Sequence, residues 1–130
     1  MAPGVQRRGT ILCVVDRRRN PVARTLQHAG FTVIETFTTD LAVALCVSNQ
    51  IDCVVLDQEF FVETDGWSVA QSLKMVRPSM CVLLVSRAAR LNDKLPNAVD
   101  AIVSTRQPQD VVDTIRRLLD LGAEAKASDD

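Results

Sequence analysis

The chain lacks a charge bias, and this absence removes several functions at once. Its 130 residues carry 15 Lys and Arg against 16 Asp and Glu, a formal net charge of -1. Phosphate backbones are bound by basic faces, so this balance gives no electrostatic reason to expect a nucleic-acid partner. There is one histidine, His28, and the cysteines (Cys13, Cys46, Cys53, Cys81) form no C-x-x-C pair, so the spacings of a zinc site are missing. No glycine-rich phosphate loop follows the first apolar run, where RRRNP stands instead, and no nucleophile–base pair marks an enzyme. No apolar run approaches the ~20 residues of a membrane span, and MAPGVQRRGT has no apolar h-region of a signal peptide. The expectation is a cytoplasmic protein, not an enzyme, with no membrane and no nucleic-acid partner.

What is present is a hydrophobic content of 47%, enough to bury a layered core, arranged in a regular rhythm. Short β-branched runs without polar alternation predict strands covered on both faces: 11–15 (ILCVV), 31–35 (FTVIE), 51–56 (IDCVVL), 80–86 (MCVLLVS) and 99–104 (VDAIVS). Segments of helical period lie between them. The first runs from Asn20 as N-cap and Pro21 to Gly30 as C-cap, burying Val22, Leu26 and Ala29. A second is capped by Thr39 or Asp40 and is expected to bury Leu41, Ala44, Leu45 and Val47 or Ser48. A third follows Gly66 with Val69, Leu73 and Val76 inward, and Asp65 is placed to cap it. RAARLNDKLPNA is weakly helical and interrupted by Pro96. The last helix buries Val111, Val112, Ile115, Leu118 and Leu119 and is expected to stop at Gly122. The cysteines, each in or beside an apolar run, read as small core residues.

Strands alternating with about five helical segments imply an α/β fold, a doubly wound five-stranded parallel sheet with helices on both faces. Ligands of such sheets bind beyond the carboxyl ends of the strands, which directs attention to Asp16, Asp57, Ser86 and the stretch Ser104 to Arg106. In the flavodoxin-like order 2-1-3-4-5, Asp16 and Asp57 end neighbouring strands. Two carboxylates brought together repel, and a hard divalent cation such as Mg2+ relieves the repulsion. One carboxylate then serves as a nucleophile toward a phosphoryl group. Ser86 is placed to donate its hydroxyl to a phosphoryl oxygen, and Arg106 to offer a cation.

At this point ILCVVD, IDCVVLD with the later DG, VLLVS and the last β-α unit resemble the CheY-like receiver domains of bacterial response regulators. The likeness spans 10–121, between a flexible N-terminus (1–9) and a flexible tail (122–130). It implies a phosphoacceptor at Asp57, a switch hydroxyl at Ser86, Thr105 at the family's lysine position, and metal contacts from Asp16, Asp57 and the backbone carbonyl of Glu59. It also implies a histidine kinase or phosphotransfer protein as donor and a further, unidentified downstream protein. With nothing following the domain here, the signal of this stand-alone receiver would pass by protein contact.

The chain departs from the family at the site itself. The acidic pair is reduced to Asp16 followed by Arg17, the loop proline is replaced in the region of Phe60 and Phe61, and the strand-five Lys-Pro is Thr105-Arg106. Ile102 stands where the switch aromatic usually lies. Arg17 or Arg106 pairing with Asp57 would partly substitute for the lost charges, although a planar guanidinium is no equivalent of an ammonium. The same departures support an alternative: a phosphorylation-independent receiver-like interaction module, a pseudo-receiver. The arginine run at 17–19 reads as a solvated loop or as a steering surface, and His28 as a surface residue.

Overall fold

The structure, a computed structural model, describes residues 9–14, 21–57, 66–86, 98–104 and 108–128. The strands are β1 (Thr10–Val14), β2 (Thr32–Thr36), β3 (Cys53–Asp57), β4 (Cys81–Ser86) and β5 (Ala101–Ser104). The helices among the described residues are α1 (Pro21–His28), α2 (Thr39–Ser48), α3 (Gly66–Val76) and α4 (Pro108–Ser128). All strand pairs are parallel, in the order β2-β1-β3-β4-β5. The fold expected from the sequence is therefore the fold observed. Most of the weakly helical stretch before β5 and the Asn20 cap lie outside the described residues.

Burial on both sides of the sheet explains the unalternated strands. Successive side chains point to opposite faces, so an all-apolar strand feeds two cores at once. Ile11, Cys13, Cys53, Val55, Leu83 and Val85 pack with Val22, Ala23 and Leu26 of α1 and Val111, Val112 and Ile115 of α4. Leu12, Val14, Val54, Leu56, Val82 and Leu84 pack on the other side with Ala42 and Cys46 of α2 and Val69, Ala70 and Leu73 of α3.

The helix ends show how local chemistry sets the element limits. At the end of α1, Gly30 adopts φ 100°, its N–H donates to the Gln27 carbonyl, and the Phe31 N–H donates to the Leu26 carbonyl. This is the paired hydrogen-bond pattern that a glycine in the left-handed region permits, with buried Phe31 and Leu26 closing it. The N-cap of α2 is Thr38 rather than Thr39 or Asp40: its Oγ1 accepts from the Leu41 N–H at 3.2 Å. At the far end of α2, Arg77 from the end of α3 donates Nε to the Cys46 carbonyl (2.8 Å) and Nη2 to the Asn49 carbonyl (3.0 Å). A cation thereby satisfies carbonyls that the helix leaves unpaired.

Two expectations need correction. Gly122 does not stop α4, which runs to Ser128. A single glycine costs a helix about 1 kcal/mol, and the following AEAKA is rich in strong helix formers. The buried residues of α2 are Ala42 and Cys46, with Val43 and Leu45 half-buried, whereas Leu41, Ala44 and Val47 face solvent. The helix is apolar on every side, so periodicity could not choose its inner face.

The amino edge of the sheet is held by two aspartates in the same role. Asp52 donates its N–H to the Thr10 carbonyl (2.9 Å) and accepts the Thr10 N–H on Oδ2 (2.7 Å). Asp100 does the same with Val82, donating to its carbonyl (2.8 Å) and accepting its N–H on Oδ2 (2.7 Å), and also pairs with Lys74 at 3.0 Å. Each sits just before its strand, in Ile51-Asp52-Cys53 and Val99-Asp100-Ala101, and ties the first residues of a neighbouring strand. Gly9 fits beside the first clasp because a Cβ there would lie 3.2 Å from Asp52 Oδ2 and 3.3 Å from Leu119 Cδ1. Removing one carboxylate leaves a part-buried N–H without its acceptor, so Asp52→Ala is expected to lower unfolding free energy by about 1–3 kcal/mol in urea titrations.

Candidate functional site

Because every strand runs the same way, their carboxyl ends form one rim carrying Val14, Thr36, Asp57, Ser86 and Ser104. The chain leaves β1 for β2 on one side and crosses to β3 on the other, so the switch in strand order falls between β1 and β3. Asp57 borders that crevice. Leu56 is in register with Val14, and Asp57 is the next residue outward, in register with Val85 of β4. Ser86 lies one residue further along β4 and is in register with Ser104 of β5.

Strand alternation distributes these groups. Asp57 follows Cys53 and Val55 on the face packed by α1 and α4, whereas Ser86 follows Val82 and Leu84 on the face packed by α2 and α3. Asp57, Ser86 and Ser104 are each half-buried at the rim; β3 and β4 are otherwise almost wholly buried, whereas β5 is half-buried throughout. A carboxylate and two hydroxyls therefore end three adjacent strands at one rim. Of the residues expected at the site, the structure thus brings Asp57 and Ser86 to adjacent strands. Asp16, Arg17, Glu59, Thr105 and Arg106 lie outside the described residues, as do Phe60, Phe61 and Asp65. Ile102 is half-buried against the α2–α3 core.

The donor chemistry at the rim suits a hard cation, since every described polar side chain named there offers oxygen. Among the described residues, no group of three or more His, Cys, Asp or Glu could hold a metal ion. A magnesium site would therefore combine Asp57 with acids beyond the described residues. The thiols are unsuited to the task. Burial pushes the Cys53 thiol well above its ordinary range, with neighbouring Cys81 and Cys13 and the acids Asp100 and Asp52 adding to the effect. Burial likewise raises Cys46 against the opposing pull of Arg77. In Cys81, burial and Asp100 raise the value while Lys74 lowers it. The cysteines serve as small apolar packing groups.

One rim residue escaped the sequence reading. Thr36 ends β2 beside Val14, is fully buried, and its Oγ1 has no hydrogen-bond partner among the described residues. The strand expected to end at Glu35 extends one residue further, so Thr36 went unnoticed; a threonine directly after a β-branched run was the available signal.

No protein-family model matches the sequence, and no curated protein does. Solved structures do. The chain superposes on a CheY-like response regulator receiver domain protein from Methanospirillum hungatei with a TM-score of 0.77 at 21% identity, covering 90% of this chain and 98% of that one. A response regulator receiver protein from Sinorhizobium medicae gives 0.72 at 26% identity, over 88% and 96%. The response regulator TrrA from Thermotoga maritima, solved with Mg2+-BeF, gives 0.72 at 21% identity, over 85% and 98%. TrrA has also been solved in complex with the histidine kinase ThkA.

Two outcomes follow from these groups. Thr36→Val removes a buried hydroxyl that has no partner among the described residues while keeping its shape, and is expected to raise stability by about 1 kcal/mol in thermal and urea unfolding. The Cys46, Cys53 and Cys81 thiols are raised in the folded state, so their contribution is complete below the unfolded-state value and is lost as pH rises through the folded one. Stability is therefore expected to decline above about pH 8.5, and Cys53→Ala to flatten that decline, as read from urea midpoints against pH.

Proposed function

We propose that this chain, which has the fold of a response-regulator receiver domain, works as one over residues 10–121, accepting a phosphoryl group on Asp57. The observation that carries the reading is the place of Asp57: a half-buried carboxylate ending the central strand, beside the switch point, with the Ser86 hydroxyl one residue further out on the adjacent strand. The donor is a histidine kinase or phosphotransfer protein, a reading supported by the likeness to TrrA, which has been solved with its kinase. The readout is a change of surface sensed by a downstream protein.

In this reading an ionised Asp57 oxygen forms the new O–P bond as the N–P bond to the donor's phosphohistidine breaks, and the freed imidazole carries its proton balance with solvent. Asp16, Asp57 and the Glu59 carbonyl would hold magnesium, which when bound screens the charge of the transferring group. Ser86 donates its hydroxyl to a phosphoryl oxygen. Thr105 takes the lysine position without its charge, and Arg106 supplies a guanidinium to the phosphoryl oxygens. The only chemistry expected of the protein itself is slow hydrolysis of the aspartyl phosphate.

A specific feature favours a second reading. β5 ends at Ser104, and the sequence after it, Thr105-Arg106, lacks the lysine whose ammonium bridges phosphoryl and carboxylate oxygens in the family, which suits a receiver-like module that binds its partner without phosphate. Incubation with Mg2+ and acetyl phosphate or phosphoramidate, followed by intact mass, decides between them. A working receiver gains the mass of one phosphoryl group, Asp57→Asn gains none, and Ser86→Ala gains it but loses much of the accompanying change in Trp67 fluorescence. A folded wild-type protein that gains no mass with any donor overturns the phosphoacceptor reading in favour of the second.

A further inference from the structure

Helix α2 carries more apolar surface than its place on the sheet uses. Residues 41–47 read LAVALCV, without one polar side chain. The sheet fully buries only Ala42 and Cys46 among them. On the outer side Leu41 is 50% exposed and Val47 62% exposed, with exposed Ala44 between them, and Met75 on the adjoining α3 is 84% exposed. Helices that are hydrophobic all round are ordinarily covered all round, and a run of adjacent exposed apolar side chains marks a contact surface.

The ends of this face carry opposite charges. Asp40 is exposed in the first turn of α2, and the Arg77 guanidinium sits at the last turn on the Cys46 and Asn49 carbonyls. A patch that is apolar in the middle, negative at one end and positive at the other is complementary to itself when rotated by half a turn, as an isologous contact requires.

We propose that two copies of this chain pair through α2, antiparallel, about a two-fold axis passing at Ala44. Leu41 then meets Val47 of the partner subunit, and Asp40 meets Arg77 of the partner subunit, each contact occurring twice. The small Ala44 at the crossing lets the helix axes approach closely. A parallel pairing would oppose Asp40 to Asp40 and is disfavoured. Three or four apolar side chains per copy fall short of the ~800 Å² per partner of a standard stable interface, so the dimer dissociates on dilution. The pairing is independent of Asp57 chemistry and needs no phosphodonor.

Sedimentation equilibrium over a wide concentration range tests it, with circular dichroism confirming that each variant is folded. The wild-type chain is expected to pass from monomer to dimer as concentration rises. Val47→Lys, acting twice by symmetry, should weaken the dimer by about tenfold or more. Asp40→Lys should weaken it by a few-fold, and added salt should reduce that difference. A wild-type chain monomeric at every concentration overturns the proposal, including the case in which the same face captures a different protein. A dimer indifferent to both substitutions overturns it equally, because the contact then lies elsewhere.

Discussion

The structure depends on one constraint: the central strands must be covered on both faces. Ile11 and Cys13 look one way and Leu12 and Val14 the other, with no solvent-facing residue among them. Such a strand cannot stand at the surface of a sandwich, where one side is wet. Helices must cross above and below it, crossovers make the strands parallel, and parallel strands deliver all their carboxyl ends to one rim. The placing of Asp57 and Ser86 at the ends of adjacent strands therefore follows from hydrophobic burial far from either residue.

This is why the fold was largely legible in the sequence. Strand runs of the right length, a proline–glycine frame around α1 and the stripes of α3 and α4 each pointed to the same architecture, and that agreement across levels is what makes a fold readable. The reading failed where a signal was degenerate. In α2, seven consecutive apolar residues leave no period to follow, so a stripe through Leu41 and Val47 looks as good as the one Ala42 and Cys46 form. In α4, Gly122 suggests a stop, but the residues after it favour continuation.

The candidate site was legible to a different degree. Asp57 and Ser86 are visible because each ends an unmistakable strand, and their place on adjacent strands needs only the strand order. Thr36 is not, since it lies just past the expected end of an edge strand. The other expected residues, Asp16, Glu59, Thr105 and Arg106, fall past strand ends in sequence that no periodicity encodes, and strand-end logic stops short of them.

The two aspartate clasps act as register stops. Asp52 and Asp100 each tie the start of a neighbouring strand by a reciprocal pair of hydrogen bonds, one to Thr10 and one to Val82. In a sheet buried on both faces, a slip of one residue would turn every apolar side chain of the slipped strand toward the wrong core. The same slip would carry the clasped N–H and carbonyl away from the aspartate that holds them. Each clasp thus reads the alignment of its strand at a single point and makes that alignment unique.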